Sequence, residues 1–149
     1  MKVIRIAEVE TVPIATATPI PGWTGGDVKR TRQPILPEGA SKHFNSSIVN
    51  FERGATTGWH VHKSDQILVV TAGIGMVANE NEEREITVGD VVHILEGENH
   101  WHGAKADSYM SHITITAAAS GGSPRVGFQK RFRHCAASLK RTGYILLTD

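Results

Sequence analysis

Short extended segments separated by glycine fill the middle of this chain and limit the folds that it can adopt. Residues 43–51 alternate in polarity, and residues 66–73, 91–95 and 109–116 are rich in β-branched side chains. Such runs, each bounded by glycine, proline or another turn residue, are typical of β-strands. No amphipathic helix is indicated before residue 120. The sequence therefore predicts an all-β fold, an antiparallel sandwich or small barrel with few or no helices.

Three local features refine this prediction. The apolar residues Val3, Ile4 and Ile6 indicate a short strand near the start of the chain. Gly73 and Gly75 indicate a sharp turn that ends the strand beginning at residue 66. The charged stretch 79–85 is typical of a solvated hairpin tip rather than a binding motif.

The length and charge of the chain favour one domain and a small partner. With 149 residues, of which 40% are hydrophobic, the chain can build a single core. Its 16 Lys and Arg against 15 Asp and Glu leave a formal charge of +1, so no strong field attracts nucleic acid or a membrane. We expect a small-molecule substrate as partner. The single cysteine and the lack of an apolar leader favour the cytoplasm.

We expect three segments along the chain. Residues 1–22 form an N-terminal arm or strand, residues 23–119 the barrel, and residues 120–149 a basic tail of uncertain order. Between Arg125 and Arg141 the tail has six basic residues and no acidic one, which by itself is weak support for nucleic-acid binding. Edge strands and the extended arm favour a homodimer or a higher homo-oligomer.

Two histidines one residue apart, His60 and His62, are the strongest functional signal. On an extended segment their side chains leave the same face about 7 Å apart along the backbone, so they can converge on one ion. Gln66 follows and can add an amide oxygen, and His100 lies behind a second glycine-bounded stretch. Imidazole nitrogen is the commonest protein donor to transition metals. Two surface histidines on a strand would be the alternative interpretation of the pair alone.

Read together, these positions resemble the two-part cupin signature. The first part is Gly54, five residues, His60, one, His62, three, Gln66, six, Gly73; the second is Gly89, five residues, Leu95, one, Gly97, two, His100. The resemblance covers about residues 44–117 and implies a small jelly-roll barrel that binds a metal through three histidines and one acidic residue. The sequence departs from the family pattern where Gln66 replaces the usual Glu, Leu95 the frequent Pro, and Ala104 the frequent Asn.

Longer stretches narrow the resemblance within the superfamily. FERGATTGWHVHKSDQILVVTAGIG, EITVGDVV, GENHWHGA and MSHITI are similar to the small bacterial manganese-dependent cupins that act as hydroxynitrile lyases. In that group three His and one Gln bind the metal. The resemblance implies one divalent metal per subunit, Mn first and Fe, Zn, Ni or Co as alternatives, held by His60, His62, Gln66 and His100. It also implies that His112 is the nearby acid/base.

Other side chains on the inward faces form the candidate pocket. His102 shares a strand face with His100, and it is either a second donor near the metal ligands or a core histidine with its hydrogen bonds satisfied. His112 alternates with Met110, Thr114 and Thr116, a polar face that indicates a cavity. His112 and His102 are therefore candidate catalytic residues. The alternative is that His112 makes only a structural hydrogen bond. The candidate pocket residues are Ser47, Val49, Met110, Thr114 and Thr116.

Three functions remain open from the sequence. The first is a metal-dependent lyase of hydroxynitrile-lyase type, in which the ion acts as a Lewis acid and His112 moves the proton. The second is a non-haem metal dioxygenase on the same centre, and the third is a non-catalytic cupin that binds a small ligand. Gln66 bears on the choice: a neutral donor set leaves a divalent ion its full positive charge, which favours binding of an anion.

Overall fold

A computed structural model describes residues 1–14 and 29–118 of the chain. It contains eight strands in these ranges: β1 (Val12–Pro13), β2 (Arg30–Pro34), β3 (Phe44–Phe51), β4 (Gln66–Asn79), β5 (Glu83–Thr87), β6 (Val91–Ile94), β7 (His100–Ala104) and β8 (Met110–Ala117). One short 3₁₀ turn, Ile6–Glu8, precedes them. The predicted basic tail and residues 15–28, between β1 and β2, lie outside the described residues.

The strands form two antiparallel sheets that share β4. The first sheet has the order β1-β2-β3-β8-β4-β6, and in the second β4 lies between β5 and β7. The core side chains come from both sheets, so the two sheets pack face to face. The prediction of an all-β jelly-roll barrel with few or no helices is confirmed. The buried core cluster consists of Phe51, Ala55, Val70, Ile86, Ala104 and Met110.

The glycines Gly73 and Gly75 lie inside β4, so the prediction of a sharp turn there is wrong. β4 instead continues for 14 residues and passes from one sheet to the other after a bulge between Val70 and Ala72. Gly73 has a φ of +71°, and a Cβ atom there would clash with the carbonyl oxygen of Tyr109. Close approach of the neighbouring strand, rather than chain reversal, requires glycine at this position.

The first residues do not form the strand predicted around Val3, Ile4 and Ile6. Ile6 is part of the 3₁₀ turn, which buries none of its residues. The carbonyl oxygens of Ile6 and Val9 accept hydrogen bonds from Nε2 of Gln33 at 3.4 and 3.1 Å, so a side chain on β2 replaces strand pairing here. In residues 1–14 and 29–118, no helix is long and apolar enough to cross a membrane.

The register of the first sheet separates its two faces. His112 on β8 lies opposite Val49 on β3 and Val70 on β4. Paired residues of neighbouring strands share a face, so these three side chains point together toward the second sheet. The alternate residues form an outer face whose apolar side chains include Ile48, Ile67, Val69, Val91, Ile113 and Ile115.

The charged hairpin tip is found where the sequence predicts it. β4 ends at Asn79 and β5 begins at Glu83. The side-chain oxygen of Asn79 accepts hydrogen bonds from the backbone N–H groups of Asn81 and Glu82 at 2.9 and 3.0 Å, which closes the turn.

Candidate metal centre

Three histidine side chains converge at one point between the sheets. His60 and His100 form an isolated antiparallel bridge, in which each backbone N–H donates to the other's carbonyl oxygen at 2.9 and 3.0 Å. Their ring centroids are 4.2 Å apart, and the ring of His62 lies 4.8 Å from that of His60. Ring nitrogens of the three residues lie within 4.8 Å of one another. The three histidines could therefore hold one metal ion.

Backbone carbonyls orient two of these rings. Nδ1 of His60 is 2.8 Å from the carbonyl oxygen of Gly58, and Nδ1 of His100 is 2.9 Å from that of Glu98. A carbonyl oxygen can only accept, so Nδ1 carries the proton in each ring. The lone pair of each Nε2 is thereby left for an ion, as in many metal-binding histidines.

Gln66 presents its side-chain oxygen to the same point. Its Nε2 donates to Oγ1 of Thr114 at 2.9 Å, and its Oε1 lies 3.2 Å from Nε2 of His100. With the proton of neutral His100 on Nδ1, both facing atoms carry lone pairs and neither can donate. A cation would satisfy both of them.

His62 supplies a second test of whether a metal fits. Its Nε2 is a buried atom without a hydrogen-bond partner in the described part of the chain. Buried polar atoms are rarely left unpaired, and exceptions often mark an ion or a reactive group. The orphaned nitrogen beside His60 and His100 fits a metal ligand.

Burial keeps these imidazoles neutral. It is the main cause that lowers the pKa of His60 to about 3, and it also lowers the pKa of His62 and His100. The positive charge that a protonated His100 would carry lowers the pKa of the other two further. Neutral imidazole is the form that binds a metal, so the rings need not lose a proton at neutral pH.

A second pair of histidines lies next to this cluster. His102 and His112 are 3% and 0% exposed, and Nε2 of His112 lies 3.2 Å from Nδ1 of His102. Phe51 packs against both rings, with centroid distances of 5.7 and 5.6 Å. Burial lowers the pKa of His112 to about 4 and that of His102 well below 6.5. One proton can be shared between two neutral rings in this arrangement.

Known proteins show the same architecture. The Cupin domain family matches residues 47–116. An (R)-mandelonitrile lyase from Granulicella tundricola is 40% identical over 105 residues, which make up 66% of this chain and 75% of that protein. The chain belongs to the cupin superfamily. The resemblance noted in the sequence is thus confirmed.

Solved structures extend the comparison for this cupin. The crystal structure of a cupin-like protein from Thermotoga maritima is 33% identical, with a TM-score of 0.60 over 64% of this chain and 73% of that one. A polyketide cyclase from Streptomyces resistomycificus has a TM-score of 0.67 over 80% of each chain but only 14% identity, so it supports the fold alone.

The candidate pocket residues of this cupin all lie on the inward side of the first sheet by register. Met110 is fully buried in the core, and Val49 packs against the core beside His112. Thr114 fixes the amide of Gln66, while the half-buried Ser47 and Thr116 lie opposite Thr114 and Gln66 respectively. Met110 therefore belongs to the packed core, whereas Thr114 fixes the amide of Gln66 beside the candidate metal centre.

Two residues of the site were not predicted from the sequence. Phe51 is a core residue that packs against both rings of the histidine pair, and Arg30 pairs with Phe51 across β2 and β3. Arg30 is half-buried, and burial lowers its pKa. Its five-residue strand lacks the polar and apolar alternation that would reveal an inward face, so only the pairing of β2 with β3 places it.

Proposed function

We propose that this cupin is a metal-dependent carbon–carbon lyase of hydroxynitrile-lyase type. The observation that carries the proposal is a cluster of neutral metal donors directly beside a buried, neutral histidine pair. The 40% identity to an (R)-mandelonitrile lyase supports the same reaction class. The substrate would be a small hydroxynitrile, and the products an aldehyde or ketone and hydrogen cyanide.

The proposed metal ligands are Nε2 of His60, His62 and His100 together with Oε1 of Gln66. We propose Mn²⁺ as the resident ion, and Fe, Zn, Ni or Co as alternatives that such nitrogen and oxygen donors also accept. When bound, a divalent ion supplies a Lewis acid that stabilises negative charge on a substrate oxygen. A carboxylate in place of Gln66 would reduce the net charge of the site from +2 to +1. Because Gln66 is neutral, a bound divalent ion would keep its full ability to stabilise negative charge on the substrate.

His112 is the proposed acid/base, and His102 is its positioning partner. Nδ1 of His112 is a buried atom without a hydrogen-bond partner in the described residues. If Nε2–H of His112 donates to Nδ1 of His102, the lone pair on Nδ1 of His112 is left to accept the proton of the hydroxyl of a substrate that reaches it. The carbon–carbon bond to the nitrile then breaks, its electron pair leaves with cyanide, and the hydroxyl carbon becomes a carbonyl. Return of the proton from His112 to cyanide balances the reaction.

Cleavage of mandelonitrile tests this function. Mn-loaded protein should release benzaldehyde and cyanide in equal amounts, and His112→Asn should lower the rate by roughly a hundredfold. His43→Asn, which changes an exposed histidine, is the matched control and should retain full activity. Release no faster than with His112→Asn or with metal-free protein would overturn the proposal.

The same preparations separate the alternatives. A dioxygenase loaded with Fe(II) would consume oxygen with a diketone or phenolic substrate and would stop under anaerobic conditions. A non-catalytic binding cupin would bind small ligands equally well after His112→Ala and would turn over none of them.

A further inference from the structure

We propose that Arg30 binds a carboxylate of the substrate, so that the natural substrate of this cupin is a small hydroxy or carbonyl compound that also bears an acid group. This inference deepens the lyase function proposed above and rests on it for the identity of the reacting groups. It assigns Arg30 as a specificity-determining residue.

The register places Arg30 on the inward side of the barrel. It lies directly opposite Phe51, and paired residues on neighbouring antiparallel strands project from the same face. Phe51 is 2% exposed and packs against both His102 and His112. The side chain of Arg30 therefore starts beside the aromatic ring that borders the histidine pair.

The guanidinium of Arg30 lacks a counterion in the described part of the chain. Its Nε is buried and has no hydrogen-bond partner there, and no carboxylate in residues 1–14 and 29–118 lies within ion-pair distance. By contrast, the neighbouring Lys29 reaches Glu52 at 4.0 Å, and the exposed Arg84 pairs with Glu82 at 2.7 Å. A half-buried arginine with a buried Nε and no anion in residues 1–14 and 29–118 would be stabilised by a ligand that supplies one.

Two ring contacts connect the residue opposite Arg30 to the metal cluster. Phe51 packs against His102 at 5.7 Å, and the ring of His102 lies 5.6 Å from that of His60. Burial lowers the pKa of Arg30 itself, but a guanidinium stays protonated at physiological pH. An anion placed between Arg30 and a bound divalent ion would be attracted by both.

No carboxylate in residues 1–14 and 29–118 forms an ion pair with Arg30, and only one acts on the metal ligands. Glu98 is the acidic residue whose charge acts on His100, and its two oxygens accept from Nδ2 of Asn79 at 2.7 Å and from the backbone N–H of Leu95 at 3.1 Å. Both oxygens of Glu98 therefore already have hydrogen-bond donors from the protein. The donors His60, His62, His100 and Gln66 are all neutral. A site with a cationic arginine, a divalent ion and neutral donors favours an anionic ligand.

Arginine is suited to this role because its planar fork binds a carboxylate through two parallel hydrogen bonds. Arg32 provides a matched control. It lies two residues along the same strand, opposite Val49, but its side chain is exposed. Removing the charge of Arg32 changes the long-range electrostatic field by a similar amount but leaves the guanidinium of Arg30 in place.

The test compares two ligands of nearly equal shape, mandelate and mandelamide, by titration calorimetry with Mn-loaded protein. The wild type should bind mandelate at least roughly tenfold more tightly. Arg30→Gln should abolish that preference, Arg30→Lys should retain part of it, and Arg32→Gln should change it less than about twofold. Circular dichroism and metal content should match wild type in every variant.

Two results would overturn the proposal. The first is equal binding of the two ligands by wild type, and the second is an unchanged preference in Arg30→Gln, which would place the carboxylate on the metal alone. Mandelonitrile carries no acid group, so its cleavage tests the lyase separately. If Arg30→Gln abolishes the mandelate preference but mandelonitrile is not cleaved, the acid-binding role of Arg30 stands and the lyase function fails.

Discussion

Nε2 of His112 lies 3.2 Å from Nδ1 of His102, and both residues are almost completely shielded from solvent. The contact joins β7 to β8 beside the core residue Phe51, whose ring packs against both imidazoles. Either histidine alone would leave a buried nitrogen unpaired. The contribution of this hydrogen bond to the free energy of unfolding can therefore be measured apart from catalysis.

The first prediction concerns coupling between these two histidines. We expect His102→Leu to lower the free energy of unfolding by about 1–3 kcal/mol, because it leaves Nε2 of His112 buried without a partner. The double variant with His112→Leu should lose less than the sum of the single losses. Urea denaturation of the four proteins completes the cycle, and strictly additive losses would contradict the hydrogen bond.

The second prediction concerns the acid stability of the metal-free protein. The pKa of His112 is lowered from 6.5 to about 4 by burial, so below pH 6.5 the unfolded chain binds more protons than the folded one. Stability should therefore be full above pH 6.5 and fall as the pH drops toward 4. His112 alone would contribute a loss of up to about 3 kcal/mol.

His112→Leu should make that pH dependence shallower, since the variant no longer has this proton to bind. Urea midpoints measured at several pH values from neutral to acidic give the two slopes. Parallel slopes for wild type and His112→Leu would show that His112 is not the neutral buried group described here.

The third prediction concerns metal content. We expect one divalent ion per chain in the wild type and at least roughly tenfold weaker Mn²⁺ binding in His62→Ala. Gln66→Glu should bind Mn²⁺ more tightly, because it adds a negative charge, and Thr114 can then donate its hydroxyl proton to the new carboxylate. Its lyase rate should fall as the charge of the ion is offset.

Elemental analysis and calorimetric titration measure these affinities. His93→Ala is the control, because His93 is an exposed histidine paired with Asp65 at 2.8 Å. The same metal content in all four proteins would contradict the assignment of His62 and Gln66.

The fourth prediction concerns the outer face of the first sheet. Ile67 and Val91 are 38% and 64% exposed, and they lie on the same side as Val69, Ile113 and Ile115. We propose that a second copy of the chain covers this apolar surface. Light scattering coupled to gel filtration should give a dimer or larger assembly for wild type.

A charge placed on that surface should separate the copies. Val91→Asp is expected to yield monomers, whereas Val88→Asp, at the exposed turn between β5 and β6, should not. A monomeric wild type, or an assembly unaffected by Val91→Asp, would rule out this face as the contact.

The sequence predicts the fold well where the signal is local. Alternation within 43–51 and 109–116 places β3 and β8. The rings of His60 and His62 also come together as their spacing predicts, although neither residue lies in a strand and His60 forms only an isolated bridge. Gly73 was misread because a glycine needed for contact with Tyr109 looks the same in sequence as a glycine needed for a turn. What each glycine contacts depends on distant parts of the chain.

Contacts between strands were harder to predict for the same reason. Periodicity indicates that His102 and His112 both face inward, but not that their rings meet, because that contact depends on the packing of one sheet against the other. Arg30 was missed altogether, since its inward position follows only from its pairing with Phe51. The alternation of side chains can be read from the sequence of one strand, whereas a functional site depends on how several strands pair and pack.

The carbonyl oxygens of Gly58 and Glu98 that orient His60 and His100 belong to the main chain. Their acceptor atoms are the same whatever side chain a position carries, so substitutions around the barrel can accumulate without turning the two imidazoles. The shape and charge of the pocket can then change during evolution while the Nε2 lone pairs of His60 and His100 keep the same direction. If these histidines bind a metal, a centre anchored in this way can be inherited through many changes of substrate.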